Sequence, residues 1–274
     1  MSARVPTDTS ADDSSLRLLA VSELEIEGRL LDASNVALRV WVTDGETRMS
    51  AVYKPIRGER PLWDFPDGSL AGREWASWLI SDLTGWGFVP PTVLRDGPLG
   101  TGTVQQWVGP LDGRHDPEFV RIDSPNDVPE GNIAVLSAQD EADRPLVVSH
   151  ADTPRLRSLA TFDAVLNNAD RKASALLADD EEFWAIDHGL CLHHEEKLRT
   201  VFWGFAGDPI EDADLIVLQA LSAQLQETEV VDQLGSVLDA AELDALSSRV
   251  HALLATGVMP EVPFDRHPLP WPLW

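Results

Sequence analysis

The chain has 274 residues, 43% of them hydrophobic, enough for one large domain or two small lobes around a packed core. Its 46 acidic residues outnumber 21 Lys and Arg, and the formal net charge of -25 is spread along the chain with no basic cluster longer than two residues, which opposes strong binding to nucleic acid or an anionic membrane. Cys191 is the single cysteine, which excludes an intrachain disulfide, and no stretch approaches the roughly 20 apolar residues that cross a bilayer, so a cytoplasmic protein without integral membrane association is expected.

Residues 1–15 are rich in Ser, Thr and Asp and lack an apolar run that would serve as a signal-peptide core; they read as a disordered, uncleaved tail. In Asn35–Thr43 the residues Leu38, Val40 and Val42 alternate with Arg39, Trp41 and Thr43, a strand pattern closed by the turn Asp44-Gly45-Glu46. A second strand follows over Met49–Lys54, and the two predict a hairpin. Pro55 ends it, and a Gly/Pro-rich loop containing Trp63 and Phe65 runs to Gly68. Helical spacing then takes over from Ser69, the expected cap, to Leu83, with Trp75, Trp78, Leu79 and Leu83 on one face and Glu74 beside it. Two short strands, Thr92–Arg95 and Gly102–Val108, complete an N-terminal region of strands with one helix.

Residues 109–150 show only short apolar patches among Asp, Pro and Gly, and no element is assigned there. From Thr153 helical spacing dominates, at Leu156, Leu159, Phe162 and Leu166, then at Leu215, Leu218, Leu221 and Leu225, then at Leu243, Leu246, Val250 and Leu253, interrupted by a strand over Phe183–Asp187. The Pro- and Trp-rich end, Pro263–Trp274, reads as an extended strap that packs back, with a docking peptide as the alternative. The boundaries expected are a tail at 1–15, an N-terminal lobe at 16–108 and a C-terminal lobe at 109–274.

The strongest local pattern is Asn167-Asn168-Ala169-Asp170-Arg171-Lys172, followed by Leu176-Leu177, a turn, and Phe183-Trp184-Ala185-Ile186-Asp187-His188-Gly189. It places one acid in a polar loop and a second at the end of a short apolar strand. Phosphoryl transfer needs such a pair: one carboxylate orients or deprotonates the attacking hydroxyl, and the other holds Mg²⁺ against the phosphates. Taken singly, Asp170-Arg171 is equally a surface turn and Asp187-His188-Gly189 a strand end. Lys54 on an upstream strand and Glu74 on the next helix change the weight, because a phosphate-binding lysine needs a carboxylate to hold it. His193-His194-Glu195-Glu196 lacks the spacing of a zinc site and reads as a polar loop. No Gly-x-Ser-x-Gly or Walker-type loop occurs.

With Ala33-Ser34-Asn35, Val52-Tyr53-Lys54-Pro55, Arg73-Glu74, Gln106-Trp107-Val108, the two aspartate motifs and Lys197-Leu198-Arg199-Thr200 in this order, the span Leu24–Gly207 resembles the small actinobacterial phosphatidylinositol 3-/4-kinase-like proteins, relatives of the lipid-kinase and HipA-type atypical kinases. The resemblance implies an α+β, two-lobed protein-kinase-like fold with a β-rich N-lobe carrying one helix and a mainly helical C-lobe. It implies ATP with Mg²⁺ or Mn²⁺ as cofactors. Ser34 and Asn35 would cover the phosphates, Lys54 would touch them, Glu74 would anchor Lys54, and Gln106, Trp107 and Val108 would form the hinge against the adenine. Asp170 would be the catalytic-loop acid and Asp187 the metal ligand.

The chain departs from that pattern at Lys172-Ala173-Ser174-Ala175, where lipid kinases read Asp-Arg-His-x-x-Asn and the actinobacterial proteins have Gly-Gly-His after Asp-Arg-Lys. Ala175 falls where a second metal ligand is expected and offers no ligand atom, with Ser174 or Asn168 as the substitutes to consider. Three activities follow: phosphotransfer to an unknown protein or small-molecule acceptor, a pseudokinase that binds nucleotide or a partner with little or no transfer, and nucleotidyl transfer on the same fold. The acidic charge makes a phosphoinositide acceptor a poor match.

Overall fold

The computed structural model describes residues 9–30, 35–45, 47–110, 119–179 and 182–274. Helix α1 (Thr9–Val21) opens it, so the helix starts inside the span expected to be a tail. An antiparallel sheet of order β1-β2-β3-β5-β4 follows, from β1 (Glu23–Arg29), β2 (Leu38–Asp44), β3 (Thr47–Pro55), β4 (Thr92–Gly97) and β5 (Gly100–Gln106). β2 and β3 form the expected hairpin, with Leu38 opposite Tyr53. Leu38, Val40 and Val42 join Leu24, Ala51, Tyr53, Val104 and Leu19 of α1 in a small core on one side of the sheet. Because strand side chains alternate, burying Tyr53 on that side sends its neighbour Lys54 to the opposite one. β5 runs tightly past Lys54: a Cβ at Gly102 would collide with the Lys54 carbonyl oxygen, so only glycine permits this pairing.

Helix α2 (Leu70–Leu83) crosses between this sheet and the rest of the chain. Ser69 stands at its N-cap, as expected, but its hydroxyl donates to Pro66 O and accepts from Arg73 Nε instead of capping. The Glu59 carboxylate caps the helix, accepting from Leu70 N at 3.2 Å and Ala71 N at 2.9 Å, where a negative charge also suits the helix dipole. Its most buried face holds Arg73, Ser77 and Ile80; Trp75, Trp78 and Leu83, expected on the buried face, are half-buried at its edge.

Residues 120–151 form a three-stranded sheet of order β6-β8-β7, from β6 (Val120–Asp123), β7 (Asn132–Gln139) and β8 (Pro145–Ala151). It escapes sequence reading because its burial alternates poorly and a register shift between Ala134 and Leu136 breaks the period. Thr153 caps α3 (Pro154–Leu166) through Leu156 N, and Asn167 ends it in the left-handed conformation, φ 53°. A β9–β10 hairpin (Leu176–Asp179, Glu182–Ala185) and helices α4 (Asp212–Gln224), α5 (Thr228–Gly235) and α6 (Ala240–Thr256) follow. The apolar face of α2 shares one core with α3, α4 and α6. The strap 263–274 does pack back, with Pro268 O accepting from Thr200 N and Trp203 Nε1, and Leu273 O from Ala173 N.

Arg73, 1% exposed, fastens α2 to the C-terminal half. It donates to Cys191 O at 2.9 Å and to the carboxylate of Glu242, the residue that completes the capping box of α6 with Asp239. Glu242→Ala leaves that guanidinium buried without its counter-charge and is expected to cost about 3–5 kcal/mol. Asp239→Ala, which removes only a cap, is expected to cost about 1 kcal/mol. Urea unfolding followed by tryptophan fluorescence compares the two; equal losses would show that the buried pair contributes little.

Candidate active site

Lys54 Nζ lies 2.7 Å from Glu74 Oε1 and 2.7 Å from Asp187 Oδ1, so three residues far apart in sequence meet at one ammonium group. Glu74 is buried, Lys54 is mostly covered, and the Asp187 side chain is 60% exposed. The strand places Lys54, the helix places Glu74, and the turn after β10 places Asp187. Burial pushes the Glu74 carboxyl up, and Lys54 opposes it. For Lys54 burial favours the neutral amine, but the two carboxylates outweigh it and the group stays charged.

The loop after α3 is built from buried amides and one buried guanidinium. Asn167 accepts from Lys197 N and donates to the carbonyls of His193 and Glu195. Asn168, fully buried, accepts from Asp170 N at 2.9 Å and donates to Asp163 Oδ1 at 2.9 Å. These bonds aim the Asp170 side chain, which is 27% exposed and paired with Lys172 Nζ at 3.0 Å. Burial raises the Asp170 carboxyl above the ordinary range, with Lys172 pulling it back. Arg171, 0% exposed, grips Asp163 with two bonds of 2.8 and 2.9 Å and reaches His188 Nε2 at 2.7 Å. Sequence reading singled out Asp170 and Asp187 but missed Asp163, whose position inside α3 carries no motif.

The remaining expected residues divide. Ser34 lies outside the described residues. Asn35 Oδ1 accepts from Arg60 N, tying the loop before β2 to the loop after β3. Gln106 N donates to Pro91 O and Trp107 N to Ser50 O, so neither N–H is offered to a ligand; the Trp107 ring carries Arg39 at 5.7 Å, and Val108 is half-buried beside it. Ala175 sits buried in a short 3-10 turn, its carbonyl accepting from Ile186 N. Of its two possible substitutes, Asn168 has both ends of its amide engaged, while Ser174 is half-exposed.

A strand lysine pinned by a helix glutamate, opposite two loop acids, is the layout of protein kinases, and the backbone agrees. The chain has a kinase-like fold of the atypical kind: it aligns with the crystal structure of the Golgi casein kinase with Mn/ADP bound over 91% of this chain and 76% of that one, with TM-score 0.56 and 12% identity. A looser likeness, TM-score 0.48 and 8% identity over 88% of this chain and 94% of the other, is to the Helicobacter pylori proinflammatory kinase CtkA. By sequence the chain belongs to the family of Protein Rv2133c from Mycobacterium tuberculosis (strain ATCC 25618 / H37Rv), being 44% identical over 265 residues, which cover 93% of this chain and 94% of that protein. No family model matches it. Among the described residues no helix is long and apolar enough to cross a membrane.

Lys54→Met would leave Glu74 buried without the one neighbour that lowers its pKa. The variant is expected to lose about 3 kcal/mol of stability near pH 7.5. Glu74 would then titrate further above its ordinary 4.5. A folded-state pKa raised above the unfolded one contributes stability at low pH that is lost as pH rises through it. The deficit should therefore shrink between pH 7.5 and pH 5, and urea unfolding at the two values checks this; a deficit that does not change with pH would mean Glu74 is not the group left unpaired.

Proposed function

We propose that this protein is an ATP-dependent phosphotransferase of the atypical kinase type, working with Mg²⁺ or Mn²⁺ on a protein or small-molecule acceptor, with motifs most like those of the phosphatidylinositol 3-/4-kinase-like branch. The observation that carries this reading is Lys54 bonded at once to Glu74 and Asp187. The Golgi casein kinase, which shares the fold, has Mn/ADP bound in its crystal structure, and this supports a nucleotide with a divalent ion.

The donor set suits a hard cation. Asp187 presents an exposed carboxylate, and no group of three or more His, Cys, Asp or Glu gathers among the described residues, so phosphate and water oxygens would complete the shell. Asp187 would hold the ion, which when bound supplies charge neutralisation to the phosphates. Lys54, kept charged and in place by Glu74, would donate to phosphate oxygens. Asp170, aimed by Asn168, would orient the acceptor hydroxyl and take its proton. The hinge role of Gln106, Trp107 and Val108 reduces to shape and to groups other than the Gln106 and Trp107 N–H, and the phosphate cover falls to Asn35 with Ser34.

A second reading, a pseudokinase that binds nucleotide without efficient transfer, rests on Ala175, since that buried methyl cannot ligate a second ion. Intact-mass spectrometry of the protein incubated with Mg²⁺-ATP or Mn²⁺-ATP separates the readings. A phosphate-sized gain absent from Asp170→Ala and Asp187→Ala is the expected outcome; a nucleotide-sized gain would replace phosphotransfer with nucleotidyl transfer, and thermal stabilisation by ATP without any gain would favour the pseudokinase.

The acid limb of the rate should lie above the ordinary aspartate range of about 3.9, because burial raises Asp170. Lys172→Met removes the group that lowers it, so the limb should move to still higher pH. A pH–rate profile of both proteins tests the sign, and a limb that stays put or moves down would remove Asp170 from the role of base.

A further inference from the structure

Asp187 holds a left-handed backbone conformation, which few residue types other than glycine, asparagine and aspartate enter. Its φ of 60° is in the left-handed region, which disfavours most side chains by about 1–2 kcal/mol and which aspartate tolerates better than most. Lys54 bonds its carboxylate at 2.7 Å, and the chain on either side of it is held as well. The residues on both sides of Asp187 are gripped by the same side chain: Arg171 reaches Ile186 O at 3.4 Å and His188 Nε2 at 2.7 Å. Arg171 is itself held at the other end by its two bonds to Asp163, and it directly follows Asp170.

We propose that Arg171 and His188 are positioning residues that hold Asp187 in its left-handed conformation and make the metal-binding turn and the Asp170 loop one mechanical unit. The inference rests on the reading of Asp187 as metal ligand for its functional meaning, but the positioning itself is a property of the protein alone.

The chemistry of the contact is specific. Arg171 can only donate, so His188 Nε2 must accept, which requires a neutral ring with its proton on Nδ1. The His188 ring is wholly buried, packed edge-on to Phe162 of α3 at 5.9 Å between centroids, so it is fixed by packing on one side and by the guanidinium on the other. His188 sits where its ring cannot reach solvent, which separates it from the exposed Asp187 next to it. Neither residue needs to touch a ligand to set the carboxylate that does. Groups that orient a metal ligand in this way typically change metal affinity about 10–100-fold when removed.

The test compares His188→Phe, which keeps the ring volume but has no acceptor, with His188→Gln, whose side-chain carbonyl can still accept from Arg171. The full chain is titrated with Mn²⁺ in the presence of ADP, free Mn²⁺ being read by electron paramagnetic resonance, and with ADP alone by calorimetry. The Phe variant is expected to bind Mn²⁺ about 10–100-fold more weakly, with ADP alone little changed, and the Gln variant to stay near wild type. Equal Mn²⁺ affinity in wild type and Phe variant, or a Gln variant as weak as the Phe variant, would overturn the proposal. Crystal structures of both unliganded variants read the positioning without any ligand: Asp187 should leave the left-handed region in the Phe variant and keep it in the Gln variant, and an unmoved Asp187 in the Phe variant overturns the inference. A wild-type protein that takes up no Mn²⁺ with ADP would instead sink the metal-ligand reading, while the crystal structures still decide the positioning.

Discussion

Helix α2 carries two opposite charges on consecutive residues, and both are buried. Arg73 and Glu74 are 1% and 4% exposed, and a helix turns about 100° between neighbours, so they face different parts of the molecule. Arg73 faces the C-terminal half, where Cys191 O and Glu242 receive it; Glu74 faces the sheet, where it receives Lys54. A shift of α2 would strand one charge or the other in a medium that penalises an unpaired charge by several kcal/mol. The position of α2 is thus set from both sides, and with it the place of Lys54 and its partner Asp187. Gly72 adds to this, because a Cβ there would meet the Val237 Cβ at 2.9 Å.

The loop between β3 and α2 adds a second attachment. Lys197 pairs with Asp64 at 3.1 Å, and Phe65 and Leu70 pack with Ala169 of the loop that carries Asp170. Trp63 is 92% exposed, so of the two aromatics in this loop only Phe65 is buried. In a chain of net charge -25 the buried Lys and Arg among the described residues are few, and of Arg73, Arg171, Lys197 and Arg249 the first three lie around the candidate site. Each of these three satisfies backbone carbonyls or carboxylates of loops that have no regular hydrogen-bonding partner of their own. Buried guanidinium and ammonium groups therefore do for these loops what strand ladders do for the sheet.

Much was legible in the sequence where a local rule operates. The alternation of Leu38, Val40 and Val42 gives a strand because period two buries one face, and Thr153 before Pro154 marks the start of α3 because a hydroxyl can cap and proline tolerates the first turn. The order Lys54, Glu74, Asp170, Asp187 was readable as a pattern because few other arrangements need those groups in that sequence. By contrast β6, β7 and β8 leave no clean period, and the eight-residue α5 buries only Val230 and Leu234, too few for a pattern.

What the sequence determined by itself, then, is the set of elements with strong periodicity and the identity of the charged groups that could meet, since both depend on neighbours within a few positions. Tertiary structure alone decided which groups do meet. That Lys54 touches both Glu74 and Asp187, that Glu59 and not Ser69 caps α2, and that Asp163 holds Arg171 all depend on contacts between residues 8 to 133 positions apart. Local propensity cannot specify these pairs, because their energy exists only once water is excluded and each buried charge must find the partner that the packing leaves it.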